Sequence, residues 1–170
     1  MKKVLLGSLA TLLAVGFFGL PVIADQLLVA FRGGIGVIPV SSGVGTDPTA
    51  VVVTRNLVRG VQPPGQPWVI ADLRADVRAD GSITVDGRGL LLGGGTNIGR
   101  NGNQSVRATL ICGAVAPFSL HDSGLVPLEP NGDFRINDVL SVPPPNPCNA
   151  PVLLIRNPGG SWFAAGIPKD

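Results

Sequence analysis

The amino-acid sequence is 170 residues long, 45% hydrophobic, 14% charged and 5% aromatic, with 24 Gly, 16 Pro and no Tyr. A chain so apolar and so sparsely charged is not a disordered acidic or basic tail. So much Gly and Pro also excludes a helical bundle or coiled coil, whose interiors both residues destabilise, and a chain of this length is expected to form one domain with a real core.

Residues 1–24 read as a signal peptide and residues 25–170 as a single β-rich domain. Met1-Lys2-Lys3 is a short positive start, Val4–Leu20 is uncharged and apolar, and Pro21 precedes Val22-Ile23-Ala24. That three-part order predicts cleavage between Ala24 and Asp25 and export to the periplasm or the medium. An uncleaved anchor is the competing reading, since the apolar run approaches a bilayer-spanning length. Pro21 and the Ala24 junction favour cleavage, so no stable membrane insertion is expected afterwards. No Cys lies near the junction to carry a lipid.

Loss of Lys2 and Lys3 would lower the basic count from 13 to 11, equal to the 11 acidic residues. A neutral chain does not offset a phosphate backbone, so nucleic acid is not an expected partner. It has no polybasic cluster for anionic lipid either.

Beyond the leader, short period-2 runs recur between Gly, Pro, Asn and Asp. Expected strands are Leu27–Phe31, Ile35–Val40, Ala50–Arg55 and Leu57–Val61, with Ser41–Thr49 a loop between the second and third. From Trp68 to Leu92 the odd positions are apolar or Gly, while Asp72, Arg74, Asp76 and Arg78 alternate in charge. A three-residue loop, Ala79-Asp80-Gly81, sets Val77 against Ile83, Ala75 against Val85, Arg74 against Asp86 and Asp72 against Arg88. A two-residue loop would mix the faces.

Further strands are expected at Ser105–Val115, Leu125–Leu128, Phe134–Leu140, Val152–Arg156 and Trp162–Gly166. A Pro130-Asn131-Gly132 turn would pair Leu128 with Phe134 and Val126 with Ile136, and Asn157–Gly160 would close the last hairpin. About eight to ten short strands predict an all-β fold, an antiparallel β-sandwich or Greek-key barrel. Cys112 and Cys148 in an exported chain predict one disulfide; a reactive thiol is the weaker alternative.

The chemical motifs are sparse. The Gly33–Gly36 cluster and Gly93–Gly99 could cradle phosphate only if a helix followed, and after Gly99 comes more loop, Arg100-Asn101-Gly102-Asn103. Glu129-Pro130-Asn131-Gly132-Asp133 spaces oxygens as calcium loops do, but its Gly comes early and a turn explains it. His121 is the one histidine, beside Asp122 and near Ser119 and Ser123. Chain neighbours do not by themselves build a triad, so a hydrolase around His121 and Asp122 is the least favoured reading and a solvated loop histidine the expected one. Asp72, Asp76 and Asp86 could supply a glycosidase carboxylate pair, but each reads as half of a surface charge ladder. Trp68 and Trp162 could line a sugar platform, although core tryptophan is the commoner outcome.

The chain resembles the uncharacterised exported proteins found across bacteria, on the stretches Phe31–Val40, Trp68–Leu92 and Val152–Pro168. The resemblance implies export and assigns no activity. The expectation is therefore an exported, non-enzymatic module of structural or binding role, without cofactor or metal. Its partner would be an envelope protein or glycan. A small-ligand or carbohydrate binder using Trp68 or Trp162, with His121 a weaker contact, is the alternative.

Overall fold

Residues 26–44 and 51–169 are described by the computed structural model, and every regular element among them is a β-strand. The expected leader, its expected Ala24–Asp25 cleavage site and residues 45–50 of the expected loop and strand lie outside the described residues. The strands are β1 (Leu27–Gly36), β2 (Val40–Val44), β3 (Val51–Arg55), β4 (Trp68–Val69), β5 (Asp72–Arg78), β6 (Ser82–Arg88) and β7 (Leu91–Leu92). They continue with β8 (Ser105–Cys112), β9 (Ser119–Asp122), β10 (Val126–Pro127), β11 (Phe134–Val139), β12 (Val152–Arg156) and β13 (Trp162–Lys169). The expected eight to ten strands become thirteen among the described residues: the Trp68–Leu92 run divides into β4, β5, β6 and β7, and β2 and β9 are additional.

A nine-stranded antiparallel sheet runs β10-β8-β12-β13-β1-β5-β6-β11, with β9 also on β8, and curls into a half-barrel. Cross-strand partners share a face, which lets one inner row be followed across the whole sheet. Ala108 faces Ile155, Ile155 faces Ala164, and Ala164 faces Gly36. Beyond a bulge in β1 the row resumes as Phe31, Ala75, Val85 and Ile136. Each non-glycine member is at most 3% exposed, so this face holds the core. Burying it is the main source of stability.

The hairpin register holds throughout: Val77 faces Ile83, Ala75 faces Val85, Arg74 faces Asp86 and Asp72 faces Arg88. Gly81 takes φ +89°, where a side chain would be strained. The same register continues to Val69–Leu91 and Trp68–Leu92, but the faces exchange there. Trp68 and Leu92 are buried and Val69 is 52% exposed, the reverse of strict alternation, because the ladder breaks at Ile70-Ala71 and Gly89-Leu90.

Four other expectations are corrected. The first strand runs on through Gly36 as β1, bulged between Phe31 and Gly34, so of the expected Ile35–Val40 strand only Ile35 and Gly36 belong to it and Val40 opens β2. The start of the expected Ser41–Thr49 loop is β2, which pairs with β3 from Val40–Arg55 to Val44–Val51. Leu57–Val61 is a tight turn in which Val58 and Val61 exchange backbone hydrogen bonds of 3.1 and 2.8 Å. The turn at 130–132 forms, yet Leu128 does not pair with Phe134, nor Val126 with Ile136. Val126 instead faces Val106, while Ile136 faces Val85. The loop before β8 captures the backbone of Leu128: its N–H donates to Gln104 O, and its carbonyl accepts from the Asn101 amide.

The turn thus joins the two ends of the curled sheet. Three contacts close the seam between them: Ser141 N–H to Asp122 O (2.8 Å), Gly124 N–H to Asp138 Oδ2 (2.6 Å), and His121 Nδ1 to Val142 O (2.9 Å). Next to the seam, β8 and β12 are buried on both faces; Thr109, Leu110, Leu153 and Leu154 are all 0% exposed. The segment after β3 is tied to this region. Trp162 donates its indole N–H to Asn56 O and its backbone N–H to Gln62 O, and Arg59 donates to Ala150 O.

Candidate functional site

The two tryptophans are core residues. Trp68 stacks on Phe163 with centroids 4.0 Å apart and an interplanar angle of 10°. Trp162 is 4% exposed and Trp68 5%, so neither indole offers a stacking platform to solvent. Geometry therefore corrects the platform role sketched from sequence, while leaving Trp68 at the wall of a cleft.

His121 is not a solvated loop residue. It lies on β9 opposite Leu110, on the inner face, and is 3% exposed. Its Nδ1 meets the Val142 carbonyl, so the proton is on Nδ1, and Nε2 accepts from the Ser119 hydroxyl at 3.0 Å. This pair could in principle polarise Ser119, which is exposed at the end of the strand. Asp122 takes no part. It faces Thr109 on the other side of the sheet and accepts from the Thr109 hydroxyl at 2.6 Å. Arg107 and Arg156 reach the same carboxylate at 3.4 Å each. Burial lowers the pKa of Arg156, and Asp122 opposes that shift. The expected His121–Asp122 constellation is thus split by the alternation of β9.

A ligand-sized hollow lies elsewhere, open to the surface, where three loops converge. The segment before β4 brings Gln66, the loop between β7 and β8 brings Asn97 and Gln104, and the β12–β13 turn brings Asn157 and Ser161. These surround a cleft of about 380 Å³ whose floor includes the edges of Trp68 and Phe163. Among the described residues no charged side chain lines it. The carboxamides of Gln66 and Asn97 are exposed and make no hydrogen bond with the described residues. The Asn157 Oδ1 atom accepts from Ser161 N–H at 2.9 Å, which holds the turn. A second cleft of about 380 Å³ adjoins along Asn97 and Gly102 and adds Arg100, Asn101 and Asn103.

No family model, curated protein or solved structure matches the chain.

The remaining motifs resolve locally. Three backbone amides of the Gly93–Gly99 loop are used within the fold: Gly93 N–H donates to Pro67 O, Ile98 N–H to Gly95 O and Gly99 N–H to Leu92 O. In the turn weighed as a calcium loop, Asp133 Oδ1 accepts from Gly89 N–H and Oδ2 from the Asn131 amide. The carboxylates weighed as a glycosidase pair are each ion-paired, Asp72 to Arg74, Asp76 to Arg32, and Asp86 to Arg88 and Arg135. Cys112 and Cys148 form the expected disulfide, with Cα atoms 5.1 Å apart, which points to a non-reducing environment.

Sequence reading missed Gln66, Asn97, Gln104 and Asn157. Isolated amides in loops carry no signal of their own; their convergence is tertiary.

Proposed function

We propose that the chain is an exported, non-enzymatic binding module of the periplasm or cell surface. The leader pattern of residues 1–24 and the disulfide support export. The single observation that carries the binding reading is the uncharged, amide-rimmed cleft on three loops held by the half-barrel. We read the half-barrel as a Greek-key barrel left incomplete, its seam drawn together by β9 and β11. A hydrolytic reading has the Ser119–His121 contact in its favour, but His121 is buried, and among the described residues its ring bonds Ser119 and the Val142 carbonyl rather than an acid.

The test combines fractionation with ligand screening. Protein recovered outside the cytoplasm should begin at Asp25. Thermal shift of that protein against sugars, amino acids, nucleotides and lipids should find a saturating stabiliser that is recovered unchanged. A ligand at one hundred times its Kd stabilises by about 2.7 kcal/mol. A cytoplasmic chain still starting at Met1, no stabiliser in any class, or turnover abolished in His121→Ala would each overturn the reading.

A further inference from the structure

The cleft beside Trp68 differs from the rest of the surface in chemistry, while the one adjoining it carries a single charged side chain, Arg100. Elsewhere the half-barrel carries charge: the outer hollow on β5, β6 and β11 is lined by Arg74, Asp76, Asp86 and Arg135. The cleft beside Trp68 is lined instead by carboxamides, a hydroxyl, glycine and apolar side chains. A primary carboxamide offers two donors and an acceptor in one plane, and a hydroxyl is both donor and acceptor. Such groups complement a ligand dense in hydroxyls. They are poorly matched to an ionised one, which in an uncharged hollow would lose hydration without a counter-charge.

Shape narrows the class further. A nucleobase needs an open aromatic face, and the stacked Trp68–Phe163 pair is only 5% and 2% exposed. A fatty chain needs an apolar tunnel, and this hollow is open and rimmed by amides. Asn97 and Gly102 belong to both clefts, so a ligand can run from one into the other past the Asn97 amide. Each cleft is at the lower end of the range of about 300–1,000 Å³ common for ligand sites. Together they fit a chain of more than one unit rather than a single small molecule.

Resting on the binding-module reading, we propose that the groove Gln66–Asn97–Asn157 binds a neutral oligosaccharide, at least two sugar units crossing the Asn97 ridge. Gln66 and Asn97 supply hydrogen bonds not used within the described fold, and Asn157 with Ser161 supplies a third point from the β12–β13 turn. The wall is preorganised, since Leu92 N–H donates to Arg100 O and Gly99 N–H to Leu92 O, which pins the loop that carries Asn97.

Trp68 provides the reporter. Its Cη2 edge lies 3.5 Å from where a Cβ on Gly102 would stand, at the junction of the clefts. Purified protein is titrated with maltotetraose, cellotetraose and N-acetylchitotetraose while tryptophan emission is followed. At least one should give a saturable change, with Kd raised tenfold or more in the Gln66→Ala/Asn97→Ala double variant. Asn137→Ala, on the outer face of β11, should bind as the parent does. All three proteins should melt at the same temperature, because the substituted residues are exposed. The proposal is overturned if no tetrasaccharide gives saturation at about 10 mM. Undiminished binding by the double variant, or equally tight binding of anionic tetragalacturonate, overturns it as well. A non-saccharide stabiliser found in the thermal screen would leave the binding module standing and the oligosaccharide gone.

Discussion

His121 and Asp122 are neighbours in the chain and lie on opposite faces of the half-barrel wall. Leu110 faces the first inside, and Thr109 faces the second outside. The inner residue closes the seam through Val142, and the outer one collects Thr109, Arg107 and Arg156. Each therefore fails differently when removed. His121→Ala opens a buried hole and leaves the Val142 carbonyl without its donor, costing about 2–4 kcal/mol. Asp122→Ala leaves two arginines directly opposed across β8 and β12, costing about 1–3 kcal/mol. Urea unfolding checks both; a parent-like midpoint for His121→Ala would contradict its buried placement.

Gly87 makes a sharper test of packing. It faces Phe134 across β6 and β11, and a Cβ there would overlap the Cε1 and Cζ atoms of the Phe134 ring. The aromatic ring covers the bare backbone of the glycine, so the pair acts as one unit. Gly87→Ala should destabilise by about 2–3 kcal/mol through overpacking. Phe134→Leu in the same chain should recover part of that loss, because the smaller side chain vacates the position. Unfolding free energies that simply add would show that the two residues do not compete for space.

These pairs also show where sequence reasoning carried and where it stopped. The hairpin of β5 and β6 was legible because one register satisfies apolar matching, charge pairing and turn geometry at once. Its ion pairs were not. Arg74 and Arg88 bond to Asp72 and Asp86 two residues away on their own strands, and Arg135 of β11 also takes Asp86. β9 escaped notice because its inner positions are Ser119 and His121, which break the apolar alternation. β10 and β11 looked like a hairpin because their turn is local, while their partners β8 and β6 are set by closure of the whole sheet. The amide cleft was illegible for the same reason, since three separate loops build it.

The disulfide should matter more than its position near a chain end suggests. Cys148 follows the proline-rich stretch after the seam, and the bond ties that stretch to the end of β8 across 36 residues. On the chain-entropy model, closing such a loop stabilises by about 4 kcal/mol. Reduction, or Cys112→Ala with Cys148→Ala, should lower the unfolding free energy by about 2–4 kcal/mol. Cys112 is 3% exposed and beside the core, so unfolding by denaturant with and without reductant is the direct measurement. Native protein should titrate no free thiol, and coincident unfolding curves would contradict the assignment.

Acid should act on the seam through Asp138. The Gly124 N–H, then the Val139 N–H, hold its carboxyl below the ordinary value of 3.8. A carboxyl with a lowered pKa in the folded chain contributes stability above 3.8, and that contribution is lost as pH falls through the folded value. Asp80 behaves alike, held down first by Ser82 N–H and then by the Ser82 hydroxyl. The group is largely solvated, so the effect should be modest and screened by salt. Melting temperature against pH should therefore decline below 3.8 less steeply in Asp138→Asn than in the parent, and less steeply still with Asp80→Asn added. Parallel acid limbs for the parent and both variants would show that neither carboxylate is linked to folding. A flattening from Asp80→Asn alone would place the acid sensitivity in the β5–β6 turn rather than at the seam.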